Sequence, residues 1–121
     1  MNKALTILFA TALFFFASGN LRAQSIISDT IRNDGTRIVH VKPEGVCSVN
    51  IEIHIRKNRI TFLEYTKGCN GNAKGIAALV EGMKVKEVIR KLEGIQCGKR
   101  STSCPDQLAR ALKMIYEKKK E

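Results

Sequence analysis

The chain has no tryptophan, and only 6% of its residues are aromatic. Its core must therefore be aliphatic. Acidic residues are also scarce, 11 against 21 Lys and Arg, which leaves a net charge of +10. Such an excess favours acidic partners in general, nucleic acid and anionic membrane among them, and selects none of them. The sequence contains no Walker phosphate loop, no dinucleotide-binding fingerprint, no internal repeat and no C-x-x-C pair. The glycines of residues 68–75 read instead as chain turns beside Cys69. A length of 121 residues holds one modest domain and excludes a large catalytic barrel.

The first residues carry a pattern of their own. Lys3 is followed by an apolar run of fourteen residues, 4–17, then by a polar stretch and Leu21-Arg22-Ala23. That order is the layout of a secretory signal peptide with a small-residue cleavage site. The run is shorter than the roughly 20 residues of a membrane-spanning helix, so no stable span is expected after cleavage. Removing residues 1–23, with Lys3 and Arg22, leaves 98 of the 121 residues and lowers the charge from +10 to +8. The expected organisation is a leader over 1–23, a polar linker over 24–35 and one domain over 36–121. A genuine leader implies export to the periplasm or secretion; without it the chain stays in the cytoplasm.

From residue 36 the sequence becomes periodic. Residues 37–41 are a short strand candidate, ended by the turn signal Pro43-Glu44-Gly45. Residues 47–56 alternate, with Val49, Ile51, Ile53 and Ile55 on one face and Asn50, Glu52, His54 and Arg56 on the other. This predicts a half-buried strand. Lys57-Asn58 is the expected hairpin turn, and residues 59–67 return. Along that return Ile60 and Phe62 point one way, Leu63 and Tyr65 the other, so a bulge is expected. Folding about Asn58 pairs residues whose numbers sum to about 116, and sets Cys47 opposite Cys69 with Cα atoms about 4.5–5.5 Å apart. Helices are expected over 72–81, 84–93 and 105–117. The first two end at Gly82 and Gly94, and the third runs into Lys118-Lys119-Lys120, a run that suits a helix C-terminus. The predicted fold class is α+β: a three-stranded antiparallel sheet packed with about three helices.

The chemistry concentrates in four cysteines, Cys47, Cys69, Cys97 and Cys104. Each falls at the end of a predicted element and none inside an apolar stripe, whereas structural cysteines usually behave as small buried hydrophobes. Helix N-termini, where Cys69 and Cys104 are expected, also favour the thiolate. Four thiols gathered at one end of a small domain allow three readings. A tetrahedral zinc site would lend folding energy to a limited core. An iron–sulfur cluster is the second. Two disulfides are the third, in an oxidising compartment. The spacings of 21, 27 and 6 intervening residues do not choose among them.

The segments Gly45-Val46-Cys47-Ser48, Gly68-Cys69-Asn70-Gly71-Asn72, Gly94-Ile95-Gln96-Cys97-Gly98-Lys99 and Thr102-Ser103-Cys104-Pro105-Asp106-Gln107-Leu108-Ala109 closely resemble the small four-cysteine TSCPD family. The likeness runs over roughly residues 37–116. That family is similar to a cysteine-bearing module at the C-terminus of some ribonucleotide reductases, notably the cobalamin-dependent class, and its members often carry the name ribonucleoside-diphosphate reductase. The resemblance implies zinc on Cys47, Cys69, Cys97 and Cys104 and a link to deoxynucleotide and hence DNA synthesis. A ribonucleotide reductase or a nucleotide is the implied partner. The chain is too short to hold that enzyme's barrel, so the oxidoreductase name fits it as an accessory part. A more distant likeness, to the IscU/NifU iron–sulfur scaffolds, would place Cys47, Cys69 and Cys104 at three ligand positions. Val49 stands where those scaffolds have an aspartate, and Cys97 is extra.

The remaining candidates are weaker. His40 and His54 lie on strand candidates and read as surface residues. Lys84, Lys86, Arg90, Lys91, Lys99 and Arg100 read as a solvated basic face, with nucleotide phosphate as the alternative contact. There is no strong nucleic-acid motif.

Overall fold

A computed structural model describes residues 23–119. Nearly all of the leader-like segment, and Lys120 of the terminal lysine run, therefore lie outside the described residues. Four strands, β1 (Ser25–Ile31), β2 (Arg37–Lys42), β3 (Asn50–Arg56) and β4 (Arg59–Thr66), form one antiparallel sheet in sequential order. Three helices follow: α1 (Asn70–Val80), α2 (Val85–Leu92) and α3 (Cys104–Lys118). The α+β class and the three helices agree with the sequence reading. The sheet has one strand more than expected.

That extra strand lies within the stretch read as a polar linker. β1 pairs with β2 from Ser25↔Lys42 to Ile31↔Arg37, with a register shift at Ile27. Its period is hidden because the bulged Ile27 breaks the alternation, and an edge strand needs few buried side chains. Asp29 compensates: it accepts from Arg37 Nε and Nη2 at 2.8 and 2.6 Å, and this guanidinium holds its carboxyl below the ordinary range. Arg37 Nη1 also reaches the carbonyl of Ile115 on α3.

The β3–β4 hairpin follows the predicted numbering closely. Pairs from Asn50↔Thr66 to His54↔Phe62 all sum to the expected value, and the register then shifts so that Ile55 meets Ile60 and Thr61 is the extra residue. The bulge explains the mixed phase of β4. It lets Ile60, Leu63 and Tyr65 all face the core, while Phe62 turns to the opposite face against His54, ring centroids 4.7 Å apart. Lys57 and Asn58 both adopt positive φ, 48° and 60°, the conformation of a two-residue hairpin turn whose twist matches the strands.

The core lies between one face of this sheet and the helices. Val39, Val41, Ile51, Ile53, Ile60 and Leu63 meet Val80 of α1, Val85 and Val88 of α2, and Leu108, Ala111, Leu112 and Ile115 of α3. The cluster is aliphatic apart from Tyr65, as the lack of aromatics requires. α3 supplies the largest helical share, and Leu112 is fully buried at its centre. Replacing Leu112 by Ala is expected to lower unfolding stability by about 2–5 kcal/mol in urea titrations, the range for an aliphatic cavity in a packed core. The same change at exposed Lys113 should cost less than about 0.5 kcal/mol.

Candidate functional site

The four cysteines come from four separate segments. Cys47 lies in the loop between β2 and β3, three residues before the strand it was expected to open. Cys69 is the N-cap of α1 and Cys104 the first residue of α3. Cys97 lies in the α2–α3 loop. The β3–β4 ladder stops at Asn50↔Thr66, so Cys47 and Cys69 are not a cross-strand pair, and the facing arrangement expected from the numbering does not form. The cause is local: Lys67 and Gly68 both take positive φ, 62° and 96°, and turn the chain away from the sheet. That turn lays Gly68 against the backbone of Ser48, where an added Cβ would stand 3.4 Å from the Ser48 nitrogen. Cys69 therefore still arrives beside the Cys47 loop.

All four cysteines line one cavity of about 430 Å³, together with Val46, Tyr65, Lys67, Arg100 and one side of α1. Cys47, Cys69 and Cys97 are exposed, Cys104 is half-buried, and all four are free thiols. Arg100 Nη1 lies 3.5 Å from Cys47 Sγ. Contact with Cys47 first, and the neighbouring Cys97 and Cys104 beyond it, hold this guanidinium more firmly protonated than usual. Ser48 Oγ is 3.6 Å from Cys104 Sγ, and the Tyr65 hydroxyl donates to the Cys104 carbonyl at 2.9 Å. Burial, then the neighbouring Cys104, push the Tyr65 phenol well above the ordinary tyrosine range.

The motif Thr102-Ser103-Cys104-Pro105-Asp106 explains how two of the thiols are held. Ser103 caps α3: its hydroxyl accepts from the Asp106 amide at 3.2 Å and donates to the Ile95 carbonyl at 2.6 Å. Pro105 occupies the first turn, where no amide donor is needed. The Asp106 carboxylate, 1% exposed, accepts from the Gly94 amide at 2.7 Å and the Thr102 hydroxyl at 2.6 Å, and pairs with Arg110 Nε at 2.8 Å. The two ends of the loop that carries Cys97 are thus fastened to the start of α3. Gln107 extends the fastening: its amide donates to Thr102 Oγ1 and accepts from the Glu44 backbone, while its carbonyl accepts from Gln24 Nε2. Gly45 follows Glu44 with φ +74°, and an added Cβ would meet Thr102 Cγ2 at 3.0 Å, so only glycine seats the Cys47 loop here.

Among the described residues, no three Cys, His, Asp or Glu side chains stand close enough together to share a metal ion. The donor chemistry suits zinc, four thiols on one cavity. The thiols share the cavity without closing into a cage. His40 and His54 lie on the sheet's far face, where His54 Nε2 contacts Glu52 Oε1 at 2.7 Å, and neither lines the cavity. Of the basic residues singled out in the sequence, Arg100 lines the cavity. Lys67, Tyr65 and Asp106 were not assigned roles from the sequence. For Asp106 a signal existed: Ser103-x-x-Asp106 ahead of an apolar run is the spacing of a capping box.

The sequence profile of the TSCPD domain matches residues 22–116, and the chain belongs to that family. No curated protein and no solved structure gives a significant match. The likeness to iron–sulfur scaffolds accordingly carries no further argument.

Two outcomes follow from this geometry. Asp106→Ala leaves the Gly94 amide, the Thr102 hydroxyl and Arg110 without their acceptor, and should cost about 2–4 kcal/mol of stability, with faster hydrogen exchange at Gly94. Asp106→Asn keeps an acceptor oxygen and should cost less. Because the folded protein raises the Tyr65 pKa, that stability contribution is complete below the unfolded tyrosine value of about 10 and falls as pH rises beyond it. Alkaline titration should show the Tyr65 phenolate absorbance only as the chain unfolds, and Tyr65→Phe should abolish that step.

Proposed function

We propose that this TSCPD chain is a metal-binding accessory module of ribonucleotide-reductase type, holding one zinc ion through Cys47, Cys69, Cys97 and Cys104. The observation that carries the reading is that four thiols from four separate segments line one cavity. Four thiolates would saturate a tetrahedral zinc ion and leave no position for water or substrate, so the ion's contribution would be structural. It would join the β2–β3 loop, the start of α1, the α2–α3 loop and the start of α3. The chain's own residues do the positioning: Asp106 and Ser103 set Cys97 and Cys104, Gly45 seats the Cys47 loop, and the Gly68 turn delivers Cys69. Catalysis of ribonucleotide reduction is not assigned to it. The leader-like residues 1–23 add export to the proposal, and zinc would protect the thiols there from oxidation.

The test is aerobic purification after full-length expression, followed by metal analysis and thiol counting. One equivalent of zinc is expected, with thermal stability that falls on chelation. Cys97→Ser should weaken zinc binding by at least about tenfold, since even residues that only orient a ligand change affinity by that much. Brown protein containing iron and sulfide would replace this reading with a cluster carrier. Protein with neither metal nor free thiol would replace it with a disulfide-stabilised exported domain.

A further inference from the structure

The cavity that gathers the thiols has a second wall that metal binding leaves unused. α1 lines it with Asn72, Ala73, Gly75, Ile76 and Leu79, positions that recur three and four residues apart on one helical face. Leu79 is 78% exposed, the most exposed large hydrophobic side chain among the described residues. The helix itself is weakly held. It contains Gly71 and Gly75, has no side-chain cap and no acidic residue in its first turn, and rests on the core through buried Val80 and the half-buried Ala73, Ile76 and Ala77. Ala73 and Ile76 pack partly against the core, so Leu79 is the aliphatic side chain that this wall leaves in water, beside the half-buried Ile76.

The charges around the hollow say what that cover is. Among the described residues, its charged lining consists of Lys67 and Arg100, with no carboxylate. A second copy of a chain with net charge +10 would bring like charges to the same rim. A concave hollow of about 430 Å³ also fits inserted side chains better than a flat lipid surface. We propose that this cleft is the docking site for an acidic segment of a partner protein. The segment sets an aliphatic or aromatic side chain against Ile76 and Leu79, and its carboxylates meet Lys67 and Arg100. The inference rests on the reading of the chain as an accessory module and supplies the chemistry of its partner. It does not require zinc.

The experiment is selection of a displayed library of random peptides on the immobilised full chain at physiological ionic strength, with and without added zinc. Enriched peptides are expected to combine Asp or Glu with Leu, Phe or Trp. Leu79→Ser should weaken the enriched peptides by about tenfold, the cost of losing one buried aliphatic side chain at an interface. Lys67→Glu should weaken them too, and more at low salt than at high salt. Both residues are exposed, so both variants should keep the circular dichroism spectrum of the parent. Failure to enrich overturns the proposal, as does an enriched pool without acidic residues or one unaffected by Leu79→Ser. An acidic peptide whose Leu and Phe are all replaced by Ser, if it binds equally well, overturns it as general charge attraction. Zinc content measured on the same samples separates the two readings: loss of peptide binding with one zinc retained overturns the docking site alone, and the converse overturns the zinc site alone.

Discussion

A single buried carboxylate fixes the geometry on which everything else in this molecule depends. Asp106 is almost without solvent contact, yet it meets a backbone amide, a hydroxyl and a guanidinium. A carboxylate in that position is tolerated only because its lone pairs are taken up. The consequence is directional. Gly94 and Thr102 bracket the loop that carries Cys97, and Ser103 both caps α3 and holds the Ile95 carbonyl. Loop and helix start therefore form one unit. Gln107, one residue further, reaches Glu44 and Gln24 and so attaches the Cys47 loop and the start of β1 to that unit.

Three of the four thiols are thus tied to one polar network, and the fourth is not. Cys69 stands on α1, whose connection to the rest is Val80, the partly buried Ala73, Ile76 and Ala77, and the contact of Gly68 with Ser48. Among the described residues, no hydrogen bond from the Asp106–Gln107 network reaches α1. The network fixes where the Cys47 loop, the Cys97 loop and the start of α3 sit, yet among the described residues no three donors come close enough to share an ion, so the separation of the thiols is not due to Cys69 alone. Gathering four sulfurs around one ion would therefore involve the Cys47 and Cys97 loops as well as α1.

The sequence made the hairpin and the helices legible because both are periodic. The β3–β4 register held for five successive pairs, and the bulge was visible as a change of phase before its position at Thr61 was known. Extension of the same numbering to Cys47 and Cys69 failed because a register rule describes extended backbone, and Lys67 and Gly68 leave that region. β1 was hidden for a related reason: one bulged isoleucine and four polar residues erase its alternation, and its place is fixed by pairing with β2 and by the Asp29–Arg37 contact. The cysteines were legible as a set, since their identity and their placement at element ends are local properties. Which of them are fastened together was not, because that is decided by Asp106 and Gln107 side chains reaching across 12 and 63 residues of sequence.

The cavity's charge also bears on the two roles proposed for it. Four thiolates around a divalent ion carry a net charge of about −2. Lys67 and Arg100 supply two positive charges on the same lining, with no carboxylate beside them. The cations that would balance a closed zinc site are thus the ones that would receive a partner's carboxylates, so charge alone sets metal and partner in competition. α1 is held on the core by the chain's own Val80, Ala73, Ile76 and Ala77, so neither ligand has to form it. What remains between metal and partner is the shared pair of cations. Three of the four cysteines are exposed, and at such solvated positions ion pairs contribute about 0–1 kcal/mol. On that magnitude each shared cation changes either affinity by less than about tenfold, so the competition is weak and both occupants can be held by the same cavity.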